Sequence, residues 1–233
     1  MKGLATPEPV NATPPLDWSH DGAAHHPAAA TPLLPALHQL AADLPQERAG
    51  LRLHGHPALP ALLATGPIHA IAACYLGPAA QPVRAVLFDK TPTTNWSLGW
   101  HQDRTIAVRA RADVPSYGPW STKQGIQHVE PPFAVTSAMV TLRIHLDDTP
   151  AANAPLLIAP GSHRLGRIPK DAIADVVARC GTLACLANAG DVWCYATPIL
   201  HASAAAQGER RRRVLQVDYA ATALPEPLVW LGL

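Results

Sequence analysis

The chain has 233 residues, with 18 Lys+Arg against 17 Asp+Glu and a net charge of +1, so its overall charge gives no drive toward nucleic acid or an anionic membrane. That length suits one domain with a substantial core, since all-β barrels and sandwiches of roughly 200–250 residues commonly form a single unit. No stretch approaches the about 20 uninterrupted apolar residues of a membrane span, and the N-terminus lacks the roughly 7–15-residue apolar run of an export signal, so a cytoplasmic protein is expected. Cys74, Cys180, Cys185 and Cys194 form no CxxC pair and are expected as reduced, mostly buried thiols.

Residues 1–30 are rich in Pro, Ala, Thr and His without a clear period and read as a loosely ordered arm, leaving 31–233 as the single domain. His20, His25 and His26 with Asp17 and Asp21 offer metal-binding groups, but nothing nearby holds them in ligand geometry, so a solvated arm is preferred. Helical spacing follows over 33–44, and again in two short patterns within 57–75 that Gly66-Pro67 separates. From Pro82 the pattern turns to strands, at 83–88, 100–108, 139–146, 156–159, 191–195 and 212–219, with one helix near 171–179. Short strands joined by Pro- and Gly-rich loops predict a mainly β fold, a double-stranded β-helix or cupin-like jelly roll, with the N-terminal helices packed on the outer sheet face. The segment 110–136, which carries Tyr117 and Trp120, is longer than usual connections and is expected to be a lid over a pocket, with both aromatics touching substrate.

The chemistry concentrates in His101-Gln102-Asp103 and the distant His201. Side chains alternate in an extended segment, so His101 and Asp103 point one way and Gln102 the other. Two imidazoles and one carboxylate on one side of a metal leave about three positions open, the arrangement of non-heme Fe(II) oxygenases rather than closed zinc sites. A 2-oxo acid chelating that iron leaves a distal carboxylate that calls for a planar bidentate cation, and Arg212 supplies one. In the strand 212–219, Arg212, Val214, Gln216 and Asp218 share a face that would line a polar pocket, while Arg213, Leu215, Val217 and Tyr219 share the apolar one. A slip of one residue would give the role to Arg211 or Arg213.

Beyond the triad, Phe88-Asp89-Lys90-Thr91-Pro92, Asn95-Trp96 and Trp100-His101-Gln102-Asp103 resemble the segment leading into the first metal strand of the phytanoyl-CoA dioxygenase-like family of Fe(II)/2-oxoglutarate oxygenases. Leu146-Asp147-Asp148, Asn153-Ala154-Pro155-Leu156 and Pro160-Gly161-Ser162-His163 resemble its central signature, and Gly190-Asp191-Val192 with His201-Ala202-Ser203 its last. One departure stands out: Ala154 occupies a position where the family usually has glycine, in a turn that favours positive φ. The resemblance implies that His101, Asp103 and His201 hold Fe(II), that Arg212 anchors 2-oxoglutarate with the Ser203 hydroxyl beside it, and that O2 is the oxidant in hydroxylation of a small molecule, with release of succinate and CO2.

Other positions stay open. Lys90 is either a surface lysine or a contact to co-substrate or substrate; Arg143 becomes a substrate or co-substrate contact if its strand turns a polar face inward with Thr141 and His145. Trp100 is a pocket wall or core residue, and His163 is expected to be structural. Halogenation is disfavoured because a halide needs the position Asp103 takes. A non-catalytic cupin-like module for a metal or small ligand is the alternative from a different class. The expected partner is a small molecule, with no nucleic acid and no membrane, and the chain is expected as a monomer or weak homo-oligomer.

Overall fold

The computed structural model describes residues 15–45, 48–206 and 210–233. The strands are β1 (Ala23–His26), β2 (Gly50–Leu53), β3 (Gln81–Lys90), β4 (Leu98–His101), β5 (Ile106–Val108), β6 (Trp120–Lys123), β7 (Ile126–Val129), β8 (Met139–His145), β9 (Leu156–Ile158), β10 (Leu183–Cys185), β11 (Val192–Ala196), β12 (His201–Ser203) and β13 (Arg212–Ala220). A six-stranded sheet runs β1-β11-β8-β13-β3-β2, a four-stranded sheet β10-β9-β12-β4, and a three-stranded sheet β5-β7-β6. The first two are the layers of the expected jelly roll.

Period-two alternation decides which side chains each layer buries. On one face of the six-stranded sheet, Leu142, Ile144, Leu215, Val217 and Tyr219 share a core with Leu37, Leu40, Leu59, Leu63 and Ile68 from the N-terminal helices α2 (Leu34–Ala42), α3 (Leu59–Leu63) and α4 (Gly66–Leu76). Each such aliphatic side chain contributes about 1.5–3 kcal/mol by leaving water. The Tyr219 hydroxyl donates 2.7 Å to the Leu63 carbonyl, so this buried polar atom is satisfied. Gly66 at φ 71°, followed by Pro67, stops α3 and α4 from fusing into one helix. The opposite face of this sheet carries Arg84, Val86, Lys90, Arg143, Arg212 and Gln216, all lining a cavity that the four-stranded sheet closes. All four cysteines are free thiols, with Cys185 and Cys194 buried, Cys180 half-buried and Cys74 exposed.

Three expectations need correction. The described part of the 1–30 arm is built into the fold: Asp17 caps α1 (Trp18–Asp21) and β1 forms a full antiparallel ladder with β11. Its histidines serve that packing, His25 lying 3.1 Å from the Asp191 carboxylate and stacking on Trp193, and His26 contacting the Tyr75 hydroxyl. A four-residue strand carries too little period to be seen in sequence; residues 1–14 lie outside the described residues. Second, 100–108 is two strands in different sheets, β4 and β5, because the chain breaks at Gln102 to change layers. Third, 110–136 is not an open loop: β6 and β7 form a hairpin that pairs with β5, followed by α5 (Phe133–Ser137).

Two glycines act by close approach. A Cβ at Gly22 would lie 2.2 Å from the His163 ring, and one at Gly190 2.4 Å from the Thr31 hydroxyl. These contacts lock the N-terminal segment onto the sheet, which explains His163 as a packing residue, as expected.

Candidate metal centre and its pocket

β4 ends on His101 and β12 begins on His201, and the two are directly paired across the ladder, with ring centroids 4.2 Å apart. After His101 the chain is clamped by Gln102, whose amide donates to the Gly166 and Pro198 carbonyls at 3.0 and 2.8 Å and whose oxygen accepts from the Ile168 N–H at 2.9 Å. That clamp fixes the turn that presents Asp103 beside the imidazoles. Ligand atoms of His101, Asp103 and His201 all lie within 4.8 Å of one another, close enough for one cation.

The donor set is prepared for a metal. His101 Nδ1 lies 2.8 Å from the Gly99 carbonyl and His201 Nδ1 2.9 Å from the Ile199 carbonyl. A carbonyl only accepts, so each Nδ1 carries the proton and each Nε2 keeps its lone pair for a ligand bond. Burial pushes His201 down to about 4, against the pull of Asp103, which keeps that ring neutral at physiological pH. Burial alone would raise Asp103, but His201, Arg84 and His101 outweigh it and hold the carboxylate at about 2. Gln216 Nε2 lies 3.4 Å and Arg84 Nη2 3.6 Å from Asp103, and Arg84 is itself held by Asp218 at 2.5 Å.

At the other end of the cavity the six-stranded sheet gathers cations. Arg212 and Lys90 are direct cross-strand partners on β13 and β3, and Arg143 of β8 stands two rows away beside Gln216. Arg212 Nη1 donates to the Ala154 carbonyl, Lys90 Nζ donates to the Ser203 hydroxyl at 3.1 Å and the Ala204 carbonyl at 2.6 Å, and Arg143 Nη1 donates to Gln216 at 2.9 Å. Among the described residues no carboxylate pairs with any of the three, and Arg212 Nε and Arg143 Nε are buried without a partner. Burial and the neighbouring guanidiniums push Lys90 down to about 7, and burial with Arg143 pushes Arg212 down to about 9. Buried positive charge without a counter-charge is costly, so this pocket is complementary to an anion. Arg211 and Arg213 face elsewhere and are paired with Asp89 and Asp147, which removes the register alternatives.

The cavity has a volume of about 390 Å³ and contains all three triad residues with Lys90, Arg143, Ser203 and Arg212; Phe88, Trp96 and Leu156 give it apolar walls. Tyr117 and Trp120, expected to touch substrate, lie elsewhere, and Trp100 takes the core place rather than a pocket wall. Trp100 packs with Ala159, Ile168, Val176 and Leu200, whereas Tyr117 and Trp120 pack with Val83, Ile106 and Val129. Trp100 on β4, Tyr117 in the loop before β6 and Trp120 at the start of β6 all lie outside the cavity lining, and Lys123 near the hairpin tip reaches it instead. Gln102, Arg84 and Gln216 are the site residues that sequence spacing does not single out as contacts to the triad; alternation along β3 and β13 is the signal that could have found the last two.

At the Ala154 departure, the backbone takes up the strain: Ala154 adopts φ 48°, ψ 59°, so the turn keeps its left-handed geometry without glycine and its carbonyl still meets Arg212 and Ser203.

The family model described as phytanoyl-CoA dioxygenase matches residues 66–214, which include every triad residue and Arg212. The chain belongs to the phytanoyl-CoA dioxygenase family. It is accordingly a non-heme iron, 2-oxoglutarate-dependent oxygenase, which sets aside a purely ligand-binding module. Solved structures with the same fold include EctD from S. alaskensis (TM-score 0.65, 18% identity, 90% of this chain and 77% of that one) and AviO1 from Streptomyces viridochromogenes (TM-score 0.59, 22% identity, 89% and 93%). A third is the non-heme alpha-ketoglutarate-dependent epimerase SnoN from nogalamycin biosynthesis (TM-score 0.61, 15% identity, 90% and 87%). No curated protein sequence matches the chain. Among the described residues no helix is long and apolar enough to cross a membrane.

Proposed function

We propose that this member of the family hydroxylates a small organic molecule, with His101, Asp103 and His201 holding Fe(II) and Arg212, Lys90 and Ser203 holding 2-oxoglutarate. The observation that carries the assignment is one cavity with a prepared two-imidazole, one-carboxylate donor set at one end and an uncompensated Arg212/Lys90 pair at the other. Arg212 and Gln216 are four residues apart on β13, roughly 13 Å of strand, a gap that an arginine side chain and a five-carbon diacid together bridge. The fold neighbours are consistent with such cofactors: EctD has been solved with 2-oxoglutarate and 5-hydroxyectoine, and SnoN with Fe3+ and alpha-ketoglutarate.

When bound, iron and 2-oxoglutarate supply the oxidising power, using O2 and yielding succinate and CO2. The chain's own residues do the rest. The Gly99 and Ile199 carbonyls hold both imidazoles in the tautomer that offers Nε2, and Gln216 and Arg84 keep Asp103 oriented and ionised. Arg212 and Lys90 orient the co-substrate through its distal carboxylate, and Phe88, Trp96 and Leu156 limit water in the reaction space. Succinate release in the presence of Fe(II), measured across a panel of small metabolites, tests the assignment: turnover that needs iron, 2-oxoglutarate and one panel member with matching hydroxylated product supports it. Product that is formed without oxygen insertion would show a different outcome on the same machinery.

A further inference from the structure

A second cationic group lines the cavity on the side of the triad away from Arg212. Arg52 of β2 is the cross-strand partner of Val86, so it shares the cavity-facing side of the sheet, and Lys123 enters from the end of β6. Arg84, in the same region, is spoken for by Asp218 and Asp103. Arg52 and Lys123 are not: among the described residues neither forms an ion pair, and Arg52 Nε is buried with no hydrogen-bond partner. Both face the same charges near the metal centre: burial and then Arg84 lower Arg52, burial and then Arg52 and Arg84 lower Lys123, and Asp103 raises each.

The placement is built rather than incidental. The Gln124 side chain takes the part of a missing neighbour for the edge strand, its oxygen accepting from the Arg52 N–H at 3.0 Å and its amide donating to the Gly50 carbonyl at 2.8 Å. Gln124 does this from a left-handed backbone, φ 52°. This docks the β6–β7 hairpin against β2 and brings Lys123 and Arg52 to one wall of the cavity. Two unpaired cations over a cavity already supplied with a separate anchor for 2-oxoglutarate call for a second anion.

We infer that the primary substrate is a small organic oxyanion, a carboxylate or a phosphate monoester, whose charged end binds Arg52 and Lys123 while its body lies along Val86 toward the triad. The inference rests on the proposed function, because it takes the Arg212 end as filled by 2-oxoglutarate. Binding from this side leaves the group to be oxidised a fixed distance from the anionic end, so position selectivity would be set by the length between them.

The experiment uses calorimetry under argon on full-length protein. Iron-loaded protein is first titrated with 2-oxoglutarate; absence of binding there overturns the proposed function rather than this inference. The saturated complex is then titrated separately with acetate and with methyl phosphate. Saturable binding of at least one is expected, the tighter of the two naming the anion class, and R52Q and K123Q should each weaken it about tenfold or more, as for loss of a charge-assisted bond, while 2-oxoglutarate affinity stays within about twofold of wild type. K123Q alters a side chain near a hairpin tip whose docking depends on Gln124, so it decides the matter if R52Q fails to fold. No saturable binding of either anion to the loaded wild type, or binding that K123Q leaves unchanged, overturns the inference.

Discussion

Lys90→Met is expected to stabilise the protein free of co-substrate and to damage co-substrate binding at the same time. Lys90 is 1% exposed and stands beside Arg212, and burial with the two arginines brings its ammonium from 10.5 to about 7. A lowered lysine means that the unfolded chain binds the proton more tightly than the folded one, so the penalty is full below about pH 7 and fades as pH rises toward 10.5. At about 1.4 kcal/mol per unit the penalty approaches ~4 kcal/mol at pH 6.5, and losing the hydrogen bonds to Ser203 and Ala204 returns about 1 kcal/mol each. Methionine fills the space without charge, so a net gain of about 2 kcal/mol is expected in urea unfolding at pH 6.5, shrinking toward pH 10. Calorimetric titration of the iron-loaded variant should show 2-oxoglutarate binding about 10–100-fold weaker, the loss of one charged contact. A variant that is less stable than wild type at pH 6.5, or that binds 2-oxoglutarate undiminished, would refute the placement of Lys90 as an uncompensated cation awaiting a carboxylate.

Arg212→Lys should weaken 2-oxoglutarate binding by about 1.5–3 kcal/mol, because an ammonium cannot reproduce the guanidinium fork, whereas Arg213→Lys should leave it unchanged since Arg213 is paired with Asp147; a larger effect at Arg213 in the same titration would contradict the register. Acid should destabilise the fold: His128 and His201 are each lowered from 6.5 to about 4 by burial, so their neutral forms support the folded state fully above about pH 6.5 and that support is lost as pH falls toward 4. Roughly 2 kcal/mol for each is expected to have gone by pH 5, and equal urea midpoints at pH 5 and 7.5 would contradict it. Ala154→Gly should relieve the left-handed strain at φ 48°, about 1–2 kcal/mol, against a backbone-entropy cost of about 0.5–1 kcal/mol, for a small net rise in melting temperature; a clear fall would show that the alanine methyl is needed.

The polar face of β13 and the apolar face of the same strand follow from alternation alone, which is why the residue pattern is enough to put Arg212 and Gln216 in the pocket and Leu215 and Val217 in the core. The triad is visible for a different reason: His101 and Asp103 form an HxD pair on one side of an extended segment, and Ser203 and Arg212 at matching offsets, with the flanking signatures, pick His201 out of twelve histidines. The places of Trp100, Tyr117 and Trp120 outside the cavity are not legible in the sequence, because an aromatic reads the same in a pocket wall and in a core, and the break at Gln102 and the pairing of β6 with β7 decide between them. Short edge strands such as β1 and β2 are held by partners distant in sequence, Asp191 and Gln124 among them, and no local period announces them. Arg52 and Lys123 are hidden in the sequence for the same reason, being neighbours only because the hairpin docks on the sheet edge.

The most direct test of the triad and anchor together is an anaerobic titration of the protein with Fe(II) in the presence of 2-oxoglutarate, following the visible metal-to-ligand charge-transfer absorption that a chelated 2-oxo acid gives. Wild-type protein should develop the band and saturate at one iron per chain, His101→Ala should lose it while keeping its far-ultraviolet circular dichroism, and Arg212→Lys should need much more 2-oxoglutarate to reach it. A wild-type protein that forms no such band, or a His101→Ala variant that forms it undiminished, would contradict the assignment of this cavity as the iron and 2-oxoglutarate site.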